Sequence, residues 1–214
     1  MIFEEFNPNI HNSRQVAELV FDVDMRVFRR IFRSKEDAIN AIEKKLLAKY
    51  EYDLQNPDYD SKFNFYVIYH KDIPSKLLGI VLISKGENFN FLDDALFYFK
   101  KLKLMQAFGL TLVKFVDKRT LSHINEDDYY LAEIATKTSE RCQGIGKSIM
   151  QHIIEEAKEQ GFKRVVLDVD LKNNKAFKLY ESMGFKIFDK KSFKLGRVEK
   201  DTYSMEYVFP SNNV

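Results

Sequence analysis

Apolar residues recur along this chain with two different periods, and each change of period marks a new element. MIFEEF reads as a first strand, and Asn7-Pro8-Asn9 as a turn. Over residues 12–50 the spacing is helical: Val16, Leu19, Val20 and Val23 share one face, as do Val27, Phe28, Ile31 and Phe32. Ser34, with Asp37 three residues on, marks the N-cap of a helix running to about Tyr50. Residues 51–62, with Asn56-Pro57, read as a loop. Phe63–His70 and Leu77–Ser84 are apolar runs joined by a Pro-containing turn, which predicts an antiparallel hairpin. Leu92, Ala95, Leu96, Phe99 and Leu102 then lie along one helical face, with Asn90 as cap and Gly109 as terminator, and TLVKFVDKRTL predicts a second helix. Core packing is the first expectation for that apolar face, because amphipathic helices usually cover a sheet; a dimer face and a substrate wall are the alternatives.

From Tyr129 onward, strand and helix patterns alternate. YYLAEIAT is a strand, residues 144–160 a helix, KRVVLDVD a strand, residues 174–183 a helix, GFKIFDKK a strand and TYSMEYVF a closing strand. Such alternation predicts an α/β arrangement with part of the sheet parallel and ligands at the carboxyl ends of its strands.

Composition narrows the function classes. At 214 residues, without linker or repeat, the chain is read as one domain, residues 1–214. A net charge of +2 leaves no basic footprint for nucleic acid. The lone cysteine, Cys142, forms no intrachain disulfide and fits a reducing, cytoplasmic setting. MIFEEF lacks the positive n-region of a signal peptide, and no uncharged run reaches the ~18 residues of a membrane span. His11, His70, His123 and His152 are scattered without metal-ligand spacing, so no metal is expected.

The candidate chemistry centres on RCQGIGKSIMQHIIEEAKEQG, where Gly144 and Gly146 stand at the head of a helix. A helix N-terminus offers unpaired N–H groups and partial positive charge, and glycine lets a phosphate approach the backbone. The bland reading is that the two glycines merely shape a turn. A dinucleotide fingerprint needs glycine where Ile149 stands. An NTPase loop matches Gly146-Lys147-Ser148, and VVLDVD resembles a magnesium-binding strand, but that loop needs glycine where Arg141 stands. A third pattern is Arg or Gln, two residues, Gly, one residue, then Gly or Ala. Arg141-Cys142-Gln143-Gly144-Ile145-Gly146 fits it throughout.

At this point the chain resembles the GCN5-related N-acetyltransferase (GNAT) superfamily. Leu131 to Thr136 sits where that family has its central strand. Downstream, Asn173-Asn174-Lys175-Ala176 and Leu179-Tyr180-Glu181-Ser182-Met183-Gly184-Phe185 match its second hallmark in order and spacing. The likeness is tight over about residues 129–188, with Thr138 and Cys142 standing where the family often has Pro and Gly. It implies the GNAT fold, a mixed α/β (α+β) central sheet flanked by helices; residues 85–128 depart from it as a helical insertion between the third and fourth strands, where many members have a short turn, and are expected to shape the acceptor pocket or a dimer contact. It implies acetyl-CoA as cosubstrate. Ile134, Ala135 and Thr136 would meet the pantetheine arm through their backbone. Arg141, Cys142, Gln143, Gly144, Ile145, Gly146, Lys147 and Ser148 would surround the pyrophosphate, and Asn173 would contact the pantetheine or orient the loop.

The implied reaction moves an acetyl group from sulfur to an amine by direct transfer. Tyr180 is the resemblance's proton donor to the leaving thiolate; a phenol with a pKa of about 10 suits a thiolate. On residue type alone it is an aromatic packed against a sheet. Asp168 and Glu133 are the candidate bases, a water chain being the third option. Asn173 is also a sufficient turn former by itself, and Cys142 reads as a bystander. The acceptor, a small-molecule or peptide amine, is not readable. Asp93-Asp94 and Glu126-Asp127-Asp128 suit a cationic one, and the Phe-rich stretches at 28–32 and 89–99 an apolar one. Homodimers occur in the family. The rival readings are a P-loop-like nucleotide-binding protein and a non-catalytic acyl-CoA sensor.

Overall fold

A computed structural model of the protein describes residues 1–56, 63–85, 91–121, 124–141 and 143–210. The chain runs β1 (Ile2–Glu5), α1 (Ser13–Val23), α2 (Met25–Ile31), α3 (Lys35–Gln55), β2 (Phe63–His70), β3 (Ile73–Lys85), α4 (Phe91–Lys101), α5 (Leu104–Thr120), β4 (Asp128–Thr136), α6 (Ile145–Glu159), β5 (Arg164–Asp170), α7 (Asn174–Ser182), β6 (Lys186–Leu195) and β7 (Val198–Val208). The strands form one mixed sheet in the order β1-β2-β3-β4-β5-β7-β6. Among the described residues, only β4 and β5 pair in parallel.

Local chemistry sets most boundaries. Asn12 starts α1 by accepting from the Gln15 N–H at 3.0 Å. Ser34 starts α3 by accepting from the Asp37 N–H at 3.0 Å, and its hydroxyl donates back to the Asp37 carboxylate. That helix continues past Tyr50 to Gln55, so the expected loop begins later; its remainder, 57–62, lies outside the described residues. The hairpin forms as expected, but β3 starts at Ile73, which puts Pro74 in the strand and leaves Lys71-Asp72 as the turn.

Two expectations between β3 and β4 fail. Gly109 does not end a helix: α4 stops at Lys101, and α5 runs through Gly109 to Thr120. Gly109 is a contact point rather than punctuation, since a Cβ there would lie 2.5 Å from the Phe32 ring. The stripe on α4 is not core either. Leu92, Leu96 and Phe99 are 68, 70 and 47 % exposed, and the buried residue is Tyr98. Asn90, the expected cap, lies outside the described residues.

The sheet separates two cores. On one face α1, α2, α3 and α5 bury Val16, Phe21, Phe28, Ile42 and Val116, with Val67, Ile80 and Ala135 as sheet partners. On the other, Ile149, Met150 and Ile153 of α6 and Tyr180 of α7 pack on Val81, Leu131, Leu167 and Met205.

Strand β4 is irregular in two ways. Against β3, Ile83 pairs with Leu131 and Leu82 with Glu133, so Ala132 is an extra residue, a β-bulge. It reverses the alternation: Tyr129 and Leu131 face the α6 side before it, whereas Ala135 belongs to the opposite core after it. Against β5, pairing covers only Asp128–Leu131 with Arg164–Leu167. Beyond Leu131 the strands splay, and β5 continues to Asp170 paired with β7 alone.

Candidate active site

The splay opens directly upstream of the glycine loop. After β4 the chain makes one turn of 3-10 helix, Thr138–Glu140, and enters α6. Gly144 is the N-cap with φ +78° and no side chain to cap the first turn. An L side chain there would be strained even though no atom lies within 4 Å of the Cβ position. Gly146 is different. A Cβ there would meet Leu179 at 3.5 Å, an ordinary contact, so the protein's own packing does not demand glycine. A glycine that disfavours the helix by about 1 kcal/mol without an internal reason is accounted for by room at the N–H groups of the first turn. Ile145 is half-buried beside it, and Lys147 and Ser148 are exposed on the same turn. Arg141 crosses back to donate to the Thr136 carbonyl at 3.2 Å and reaches Asp22 of α1 at 3.5 Å. Gln143 donates to the Ser139 carbonyl at 3.4 Å. Cys142 lies outside the described residues. On β4, Ile134 packs toward α6, Ala135 is buried toward α1, and Thr136 is half-buried.

Tyr180 is placed by the end of its helix. Phe185 N–H donates to the Tyr180 carbonyl at 3.1 Å and Gly184 N–H to the Glu181 carbonyl at 3.0 Å, with Gly184 at φ +95°. This is a Schellman cap, and its hydrophobic contact is Tyr180 against Phe185, ring centroids 5.9 Å apart. The Leu-Tyr-Glu-x-x-Gly-Phe run is thus a device that stops α7 and pins Tyr180 against the sheet. Burial pushes the phenol pKa up, so the hydroxyl holds its proton at neutral pH. Asn173 is the N-cap of α7, its Oδ1 accepting from the Ala176 N–H at 3.2 Å. The turn-forming reading of that residue therefore describes one lone pair of its carbonyl oxygen, and the other lone pair and the amide N–H groups are left for the role the resemblance assigns.

The two candidate bases lie on the sheet face opposite Tyr180. Val165, Leu167 and Val169 join the α6–α7 core, so Asp168 points the other way. One of its oxygens accepts from Tyr130 Oη at 2.8 Å and the other from Ser204 Oγ at 2.7 Å. Burial, then the neighbouring Asp168, raises the Tyr130 pKa, which keeps that donor protonated. Asp170, two residues on, pairs with Arg26 of α2.

Glu133 sits on the splayed part of β4 and is turned by the bulge toward α3 and α5. It lines a cavity of about 850 Å³ with Lys45, Tyr98 and Lys114. Burial raises the Glu133 pKa against the pull of Lys45 and Lys114, and burial lowers that of Lys45. Burial also opposes the Lys114 charge, yet Tyr98, Asp94 and Asp117 hold that ammonium above its ordinary value. Sequence reasoning missed Lys45, Tyr98, Lys114, Tyr130 and Ser204. Only Tyr130 left a signal, since parallel pairing with β5 puts it on the Asp168 side.

Comparisons with known proteins agree with this geometry. The "[Ribosomal protein bS18]-alanine N-acetyltransferase" of Escherichia coli K12 is 35 % identical over 81 residues, 38 % of this chain and 47 % of that protein. "N-acetyltransferase 8B" of Homo sapiens is 29 % identical over 94 residues, 44 % of this chain and 40 % of that protein. The chain thus spans less than half the length of these relatives. A spermidine N-acetyltransferase from Vibrio cholerae, solved with CoA and spermine, shares the fold with a TM-score of 0.59 over 97 % of this chain and 94 % of that one, at 13 % identity. The sequence model of the Acetyltransferase (GNAT) family matches residues 41–185. That span takes in the bulged strand, the splay, the uncapped helix and the Tyr180 cap, and the chain belongs to the GNAT acetyltransferase family.

Proposed function

We propose that the protein transfers the acetyl group of acetyl-CoA to a primary amine, directly, in a ternary complex. The observation that carries this is the splay. Beyond Leu131 the backbone groups that β4 turns toward β5 meet no strand, which leaves a polar edge that an extended pantetheine arm can complete. The uncapped N-terminus of α6 follows within a few residues and suits the pyrophosphate. Ile134, Ala135 and Thr136 would serve the arm, and Arg141, Cys142, Gln143, Gly144, Ile145, Gly146, Lys147 and Ser148 the phosphates, with Asn173 contacting the arm or orienting the loop.

The chemistry divides between the two faces. The ammonium of the acceptor first gives a proton to a carboxylate. Glu133 is the better placed acceptor of that proton, because both oxygens of Asp168 already accept hydrogen bonds. The neutral nitrogen attacks the thioester carbon; an N–C bond forms and the C–S bond breaks. Tyr180 gives its proton to the departing thiolate and regains one from the new amide nitrogen, so the products are the N-acetyl amide, CoA and one released proton. Backbone N–H groups at the splay would stabilise the oxyanion.

The test is a thermal shift with acetyl-CoA, CoA and Mg-ATP, followed by an acetylation screen over an amine panel. At about 100 times its dissociation constant a ligand stabilises by about 2.7 kcal/mol, a rise of several degrees at this chain length. A shift with both CoA species and none with Mg-ATP, followed by turnover, supports the reading. A shift with Mg-ATP alone overturns it, and binding without turnover of any amine leaves an acyl-CoA sensor.

A further inference from the structure

The insertion helix α4 roofs the cavity that Glu133 lines. The remaining walls come from α3 and β2, with Val20 of α1, Lys114 of α5, Glu5 and Phe6 at the β1 end and Leu82 of β3 beside Glu133. Its 850 Å³ falls within the ~300–1,000 Å³ of small-molecule sites.

Three properties define what fits. The walls are apolar and aromatic, through Phe6, Phe65, Leu96, Phe97 and Tyr50. The charge is nearly balanced, five carboxylates facing four lysines: Lys49 pairs with Asp53, Lys114 pairs with Asp94 at 3.1 Å, and exposed Lys100 stands among exposed Glu5 and Asp93. Finally, the Glu133 and Lys45 side chains feel each other's charge across the cavity, but no hydrogen bond or ion pair joins either side chain to a described residue. Two half-buried opposite charges out of contact are an arrangement that a ligand of matching dipole completes.

We infer that this cavity holds the acyl acceptor and that the acceptor is an amino-acid-like zwitterion, its amine on Glu133, its carboxylate on Lys45 and a large apolar side chain against the aromatic wall. The inference rests on the acetyltransferase reading. It puts the amine beside the splay, because Glu133 precedes Ile134 on the run of β4 that β5 leaves unpaired on its side. A polyamine would bring positive charge against Lys45 and Lys114. A plain arylalkylamine would leave Lys45 without a partner.

The experiment compares matched pairs on the full chain: phenylalanine with phenethylamine, and leucine with isoamylamine, with spermidine as the cationic control. CoA release gives kcat/KM, and calorimetry with CoA present gives binding. The amino acids are expected to exceed their decarboxylated partners by about tenfold or more, and Lys45→Met to erase that ratio. The ratio is read on folded protein only, so a partly unfolded variant still reports. A preference for spermidine, or a ratio that survives Lys45→Met, overturns the inference while leaving transfer from acetyl-CoA intact. If acetyl-CoA neither binds nor turns over, the activity reading fails by itself, and calorimetry of the same pairs still decides what the cavity holds.

Discussion

Leu131 and Glu133 stand two residues apart on one strand yet belong to opposite faces of the sheet, because the bulge at Ala132 lies between them. In a regular strand the two would share a face, and the carboxylate would enter the apolar layer under α6. Deleting Ala132 turns the bulge into a regular strand in which Glu133 follows Leu131 directly and so still faces α3 and α5. The expected result is a folded variant whose transferase activity is weakened but not abolished, because the carboxylate keeps its face. A folded variant with no activity at all would show that the bulge does more than set the face of Glu133.

Glu133 should also leave a mark on stability. Its folded pKa is raised by burial, despite Lys45 and Lys114, with Asp117 and Asp24 adding to the rise. A carboxylate of this kind is not penalised below its unfolded pKa, and it loses stability as pH climbs from there through the folded value. Glu133→Gln escapes that loss. The variant should melt higher than the parent at pH 8 and converge with it toward pH 4, while its kcat falls by about 10²-fold. Melting curves across pH with parallel rate measurements test both halves.

Asp168 is expected to behave differently, as a group that positions Tyr130 and Ser204. Asp168→Asn removes one acceptor and should destabilise by about 1–2 kcal/mol, read as a fall of about 2–8 °C in melting temperature. Its loss of kcat should be smaller than that of Glu133→Gln. The reverse order would make Asp168 the base and return Glu133 to a supporting role.

Tyr180→Phe keeps the ring that packs on Phe185 and removes only the proton donor. Acetyl-CoA affinity and melting temperature should hold, with kcat lower by about 10²-fold or more. Unchanged turnover would assign the proton to another donor.

Gly79 tests the sheet itself. A Cβ there would sit 2.4 Å from the Ala135 carbonyl oxygen, and backbone cannot swing aside as a side chain does. Gly79→Ala should cost about 1–3 kcal/mol, seen as a melting temperature lower by about 2–10 °C.

How far the sequence carried is clearest at individual residues. Ser34 and Asp37 announce α3 because a cap is a local event, made within three residues. Gly184-Phe185 works the same way. Gly109 misleads because its reason for being glycine is Phe32, far away in sequence, so it looks like a helix end. The stripe on α4 misleads because periodicity shows that a helix has an apolar face but not whether anything covers it. The bulge at Ala132 is invisible in one strand; it exists only in the register against β3. Lys45 reads as an ordinary polar position of α3, and its meaning depends on Glu133 arriving from another part of the fold.

The layering of this protein also divides its labour along the chain. The helices on the Glu133 face all precede β4, and those on the Tyr180 face all follow it. On the proposed function, substitutions in the first half can remodel what enters the Lys45 cavity while touching the glycine loop only where Arg141 reaches Asp22. Acceptor choice and donor chemistry become separately adjustable, meeting only where two parallel strands part.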